Sequence, residues 1–332
     1  MGKRERKVSR FTGRWITEQG AGTVEYVIVV LVAIVIGSGL LAFGNQISGQ
    51  VSKTGNSISS WFSKANGTGG TGGGNAGGGG GAADSRIEEL KEKDPADWTL
   101  DDQKTVAEDI EKKGNSSELY SKAKAAMDAG TKFTMKLTNG QTLEYRIIGI
   151  NHDNLADDSG KAGLTFLTTS TTISSRMNAT ATNVGGWEKS ELRQKMNSGK
   201  IWNLMPADFQ SKVKSVKKLS NNDGGGIENK NAAVTETVDK LFLLSYSEIV
   251  PTSYWASSYP STSSEGTQYE VFRGKVINNK GNNDYLKIGD YWWERSVYPG
   301  YSMYFLGIYS SGNPSGNFNA TSTICVCPAF CF

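Results

Sequence analysis

The sequence predicts an α+β protein: a long N-terminal hydrophobic helix, a flexible Gly linker and a C-terminal mixed α+β globular domain. Three observations carry this reading. Val27 to Phe43 reads VIVVLVAIVIGSGLLAF without a charge, Gly67 to Gly81 reads GTGGTGGGNAGGGGG, and beyond Thr131 short strand and helix patterns alternate with turns. The chain has 332 residues, room for roughly two domains at on the order of 100 to 200 residues each.

The first element is cationic. Lys3, Arg4, Arg6, Lys7, Arg10 and Arg14 precede the apolar run against only Glu5 and Glu18, which predicts a cytoplasmic N-terminus and an outward C-terminus. The apolar run is at the short end of what a helix needs to span a bilayer. It ends Leu41-Ala42-Phe43-Gly44, without the small-residue A-x-A site of a secretory signal, so the segment is expected to be retained. Gly37, Ser38 and Gly39 allow close helix approach or a bend, or are simply tolerated. Glu25 stands at the edge of the run, where a carboxylate needs a compensating partner.

The Gly tract buries no side chain and reads as a flexible coil with a mean span of roughly 20 to 23 Å. Residues 84–130 read as helical pieces. Ser85 caps a charged turn that Pro95 breaks; a second helix runs from Thr99, with Asp101 and Asp102 at its positive end, to Gly114. A third runs from Ser116 or Ser117 to Ala129, with Leu119, Ala123, Ala126 and Met127 on one side and Gly130 past its end. They form a stalk, a cap on the domain beyond Thr131, or a solvated spacer.

From Thr131 the expected elements are strands at Lys132 to Leu137 and Leu143 to Ile150 about an Asn139-Gly140 turn, then a strand at Leu164 to Thr169. A helix capped by Ser190 comes next, with Leu192 and Met196 inward. Another opens at Pro206 with Phe209, Val213 and Val216 on one face. Leu241 to Leu244 reads as a buried strand, and Ile324 to Cys327 as a closing strand.

Charge is nearly balanced, 36 Lys plus Arg against 33 Asp plus Glu, which argues against a nucleic-acid partner. All three Cys, Cys325, Cys327 and Cys331, lie in the last eight residues. Buried free thiols and a disulfide are both open, the latter involving Cys331 because a Cys325–Cys327 bridge is strained. A zinc site is a weaker alternative, as His152 is the only His. Asp153, Asn154, Asp157 and Asp158 make one acidic loop and Asn278 to Asp284 another, neither with EF-hand spacing, so no metal and no cofactor is expected. Catalytic signatures are missing: no Ser elbow, no P-loop and no Cys–His pair, so no enzyme is expected. Aromatic density among Ser, Asn and Gly points to binding. Trp255, Tyr259, Trp292, Tyr298 and Tyr301 are the candidate ligand contacts, against the alternative that such rings fill the core. Trp292 and Trp293 should face opposite sides of a strand.

Glu18-Gln19-Gly20-Ala21-Gly22-Thr23-Val24-Glu25-Tyr26 resembles the Flp pilins of tight-adherence (type IVb) pili, marked by a Gly cut site with Glu and Tyr at the fifth and sixth positions after it. The resemblance covers roughly residues 10 to 60. It implies a class III prepilin leader over 1–20, a transmembrane and assembly helix over 21–66, processing by a prepilin peptidase between Gly20 and Ala21, and assembly through Glu25 and Tyr26. Flp pilins usually end soon after the helix, and this chain does not. Here 67–83 is the Gly-rich linker, 84–130 the helical spacer and 131–332 the α+β surface domain.

Gly186 to Arg193, Asp239 to Ser245, Trp292 to Ser296 and Pro328 to Cys331 look like a family of unassigned function found in Gram-positive surface proteins. Where that family carries Gly-Val-Arg before Pro-Ala-Phe, this chain has Cys325-Val326-Cys327. The Trp-Trp-x-Arg-Ser element with a late closing strand is similar to C-type-lectin-like and sulfatase-modifying-factor folds. Together the resemblances imply a pilin-like subunit, minor or tip, that displays an extracellular recognition or adhesion domain. It would be single-pass in the membrane with a cytoplasmic N-terminus before assembly, and on the pilus and cell surface after processing. Its partners would be prepilin peptidase, other pilin subunits, the Tad assembly machinery and a host or environmental glycan or protein. The alternative is a single-pass membrane-anchored glycan- or protein-binding module that does not polymerise.

Overall fold

The computed structural model describes residues 80–226, 232–254 and 260–332. Gly20, Ala21, Glu25 and Tyr26, the apolar run, Trp255 and Tyr259 lie outside the described residues. Among the described residues no helix is long and apolar enough to cross a membrane. The longest, Leu100–Lys113, has 14 residues and carries charges throughout. It reaches about 21 Å, against roughly 30 Å of hydrocarbon. This finding corrects the expected fold class with its long hydrophobic helix and the expected single-pass membrane localisation.

The chain divides between Ala76 and Gly77 into two units, and the second contains every described residue. It opens with three helices: α1 (Gly80–Glu92), α2 (Leu100–Lys113) and α3 (Tyr120–Ala129). Asp94 accepts from the Ala96 N–H as Pro95 stops the first helix. Thr99 and Asp102 form a reciprocal capping box at the second, which ends at Gly114 with φ 57°. Gly130, in the left-handed conformation, closes the third by donating to the Ala126 and Met127 carbonyls.

The buried stripe of these helices, including Val106, Ile110, Leu119, Ala123 and Met127, joins one core with Phe133, Tyr145, Phe166 and Phe330. The helices are therefore a cap on the domain, not a solvated spacer. The Tyr145 hydroxyl donates to Gln103 Oε1 at 3.1 Å, and Trp98 stacks on Phe133.

The cap covers a four-stranded antiparallel sheet, ordered β1 (Phe133–Lys136), β2 (Thr142–Ile150), β3 (Leu164–Thr168) and β11 (Ala329–Cys331). The expected hairpin forms, with Gly140 at φ 84°. At Gly163 the chain passes so close to α2 that an added Cβ would lie 1.9 Å from the Ala107 carbonyl oxygen.

A second, five-stranded sheet is ordered β4 (Ser174–Ser175), β10 (Ile324–Cys325), β7 (Trp292–Val297), β8 (Tyr304–Ile308) and β9 (Gly316–Asn319). Only the β10–β7 pair is parallel. β7 is central and buried at every residue, which hides both Trp292 and Trp293. A third sheet is the hairpin of β5 (Val216–Ser220) and β6 (Thr235–Asp239). Short helices α4 (Glu191–Asn197), α5 (Ala207–Gln210) and α6 (Tyr246–Ile249) connect these layers.

The sequence pattern is corrected in four places. Ser85, expected to cap the first helix, lies inside α1, which begins at Gly80. The helix from Pro206 is only α5, and Val216 opens strand β5 instead. Leu241 to Leu244 is fully buried but makes only a bridge, Phe242 to Ala329. The closing segment is two strands: β10 pairs with β4 and β7, then the chain passes Pro328 and β11 joins the other sheet. Cys325, Cys327 and Cys331 are buried free thiols, one of the two alternatives open from the sequence, and the candidate disulfide among them is not formed.

The Gly163 contact yields a stability test. Gly163→Ala forces the cap away from β3, and overpacking of this kind costs about 1 to 3 kcal/mol. Urea unfolding should show that loss; a midpoint equal to the parent's would mean that α2 shifts freely.

Candidate functional site

The three sheets meet at a cluster of buried charges. Asp153 comes after β2, Lys218 lies in β5, Glu248 in α6 and Arg295 in β7. Lys218 Nζ lies 2.6 Å from Asp153 Oδ1 and 2.5 Å from Glu248 Oε1. Arg295 grips Glu248 with two nitrogens, at 2.5 and 3.1 Å. Its remaining donors go to the Leu219, Leu243 and Glu265 carbonyls and to Ser220 Oγ. Tyr269 and Thr165 donate hydroxyl hydrogens to Asp153, at 2.9 Å and 2.6 Å to its Oδ2. Two cations thus face two carboxylates, with nearly every polar atom satisfied, the arrangement that makes a buried ion pair tolerable.

Local chemistry sets each member. The Ser245–Glu248 capping box orients Glu248 at the start of the one-turn helix α6. A β-bulge near Gly149 and the lack of a side chain there admit Tyr269 and Glu270; an added Cβ would meet the Tyr269 ring at 2.8 Å. Tyr269 in turn stacks on His152 at 4.0 Å between ring centres. His152 Nδ1 lies 3.3 Å from Glu270 and Nε2 3.4 Å from Thr267 Oγ1.

Electrostatics separates the carboxylates. Burial pushes Asp153 and Glu248 up, but Lys218 at the former, and Arg295 with Lys218 at the latter, outweigh it and hold both below the usual carboxylate range. Burial wins at Glu265, raised to about 7, although Ser296 donates to it and Arg295 lies nearby. Burial, then the charge of Glu265, drives Glu294 well above its ordinary value. A cavity of about 310 Å³ opens over the cluster, lined in part by His152, Asp153, Lys218, Glu248, Glu265 and Thr267.

A second cavity, of about 420 Å³, lies on another side of β2 and β3. Arg146, Lys132, Glu144, Tyr285, Leu286 and Trp292 are among its lining residues. Of the sequence-predicted ligand contacts, Trp292 is here, 1% exposed. Tyr298 and Tyr301 do not line it. They continue a series of ring contacts, Tyr254 to Tyr298 to Tyr301 to Tyr304, on the loop before β8. Asn183 holds that loop by donating to the Tyr301 and Tyr304 carbonyls, and Tyr301 is 56% exposed.

Sequence reasoning missed Arg146, Lys218, Glu248, Glu265 and Arg295 as a set. The available signal was a charge flanked by apolar residues within a strand, as at Arg146 in Leu143 to Ile150. Asp153, read as part of an acidic loop, is a buried partner of Lys218.

Residues 162–332, more than half of the chain, match the family described as a domain of unknown function, DUF6273. The chain belongs to the DUF6273 family. Comparison with curated proteins and with solved structures finds no match. In this DUF6273 chain the four sequence motifs fall inside the matched segment and are joined by contacts. Trp187 Nε1 and Arg193 Nε donate to the two oxygens of Asp239 at 3.0 and 2.6 Å, and Phe242 and Ala329 exchange backbone hydrogen bonds.

These charges make stability depend on sequence and pH in two measurable ways. Lys218→Met leaves Asp153 and Glu248 without one of their cations and should cost about 3 to 5 kcal/mol in urea unfolding. For Glu265 the unfolded carboxyl ionises near 4.5 and the folded one near 7. Between those values the folded state binds more protons, so stability falls as pH rises; the cost is absent below about 4.5 and complete above about 7. Glu265→Gln should therefore gain on the order of 3 kcal/mol over the parent at pH 8, and that gain should vanish as the pH falls below about 4.

Proposed function

We propose that the chain is a pilin-like subunit of a tight-adherence (Flp, type IVb) pilus, in a minor or tip position, that displays the DUF6273 domain as a recognition module. The observation that carries this reading is the run Glu18 to Tyr26. There the Gly20–Ala21 bond precedes Glu25 and Tyr26 at the spacing of that prepilin family. A prepilin peptidase that hydrolyses this bond frees the Ala21 amine, a cation able to offset Glu25 of a neighbouring subunit in a packed filament core. Charge neutralisation and subunit register then coincide.

A further observation supports the display half. The Gly tract precedes a unit with its own core, which suits a tethered cargo.

N-terminal sequencing of the mature chain from a peptidase-competent host should begin at Ala21; Met1 or Gly2 retained throughout would refute the reading. Glu25→Ala should leave that cleavage intact while reducing filament incorporation at least tenfold. Immunogold labelling of the last domain reads the second outcome.

A further inference from the structure

We propose that the Arg146 cavity binds the carboxylate of a small organic ligand. The inference gives the recognition module of the reading above its ligand class and rests on that reading. Arg146 projects from β2, where alternate residues Tyr145 and Ile147 face the core. Its Nη2 donates to the Tyr285 carbonyl at 2.8 Å, while its buried Nε has no hydrogen-bond partner. Among the described residues no carboxylate compensates it, and burial depresses its pKa. The nearby end of α3, where an added Cβ on Gly130 would lie 4.0 Å from Nη1, supplies only about half a negative charge.

The other charges lining the cavity are already matched. Lys132 lies 2.9 Å from Glu144, which also accepts from Thr169 Oγ1 at 3.0 Å, and Lys287 lies 3.6 Å from Asp284. The net excess in the cavity is therefore the one positive charge of Arg146. A guanidinium is matched in shape by a carboxylate, which it binds with two parallel hydrogen bonds. Nε is buried out of a ligand's reach, so the donors offered to the cavity are those of Nη1 and the hydrogen of Nη2 that Tyr285 leaves free. The remaining walls select the body of the ligand. Tyr285, Leu286, Ile288 and Trp292 supply apolar and flat surface, and Lys275 over the Tyr285 ring at 4.4 Å holds that ring in place. A cavity of about 420 Å³ accommodates a monosaccharide acid or an acylated amino acid.

The two sources are separable on the purified full-length chain by saturation-transfer difference NMR. The probes are glucuronate against glucose and N-acetylglycine against N-acetylglycinamide, each at millimolar concentration. At least one acid should bind, and its neutral analogue should bind at least tenfold more weakly. Arg146→Gln should lower the affinity for that acid at least tenfold, and Arg146→Lys should fall between. Binding of neither acid, or equal binding of acid and neutral analogue, would overturn the proposal.

Thermal unfolding provides an independent reading. Removing an uncompensated cation should leave the midpoint of Arg146→Gln unchanged or raised. A fall of more than about 5 °C, on the order of 1 kcal/mol or more for a domain of this size, would assign Arg146 to the core and overturn the proposal. Failure of the site leaves processing at Ala21 untouched, whereas a chain that binds an acid but retains its leader refutes only the pilus reading.

Discussion

The constraint on which the domain depends is the burial of Lys218 and Arg295. Neither charge can stay in the interior alone, because desolvation of an ion costs several kcal/mol even after relaxation. Asp153 and Glu248 make them tolerable, and each comes from a different element, so the three sheets and α6 must arrive together for the charges to balance. Hydrophobic contact alone would let these layers slide, since apolar burial has no direction. Arg295, with all its donors committed to named oxygens, admits one arrangement. Specificity of packing is thus supplied by charges, while the aromatic cluster around Phe166 and Phe330 contributes the bulk of the driving force.

The same logic explains the family motifs. Trp187, Arg193 and Asp239 form one joint, Phe242 and Ala329 another, and Arg295 the third. Each joint closes the fold, and Trp187, Asp239 and Arg295 are all buried. The cysteines obey the same rule. Cys331 is within 3.4 Å of Thr165 Oγ1 and beside Asp153, so burial and the nearby carboxylate hold the thiol well above its ordinary pKa. It is placed as a packing residue, not as a nucleophile.

Local signals were legible in the sequence where local chemistry decides the outcome. The Thr99 and Ser190 caps, the Gly114 and Gly130 stops and the Asn139-Gly140 hairpin all form as their side chains dictate. Elements decided by tertiary context were not. Val216 fits the apolar face of a helix by spacing, but its neighbours Lys217 and Lys218 divide between solvent and the buried network, which requires the period of a strand. The β5–β6 hairpin was missed for that reason. Lys218 was unreadable as a site residue because a buried Lys is expected only with partners, and its partners lie 65 and 30 residues away. Trp292, singled out as a candidate ligand contact, is 1% exposed and stands in a cavity wall.

Both cavities cross the start of the family segment at Ala162. The first takes His152 and Asp153 from before it and Lys218, Glu248 and Glu265 from within it. The second takes Lys132, Glu144 and Arg146 from before it and Tyr285 and Trp292 from within it. The motifs that close the fold therefore lie on one side of that boundary, while the charge that distinguishes the second cavity lies on the other. β2 is held in place by its neighbours β1 and β3 through backbone hydrogen bonds, so the pairing of the strand does not depend on the side chain at position 146. A domain built this way separates what keeps it folded from what it binds. On the proposal above, ligand preference is set at Arg146, apart from the buried ion network of Asp153, Lys218, Glu248 and Arg295.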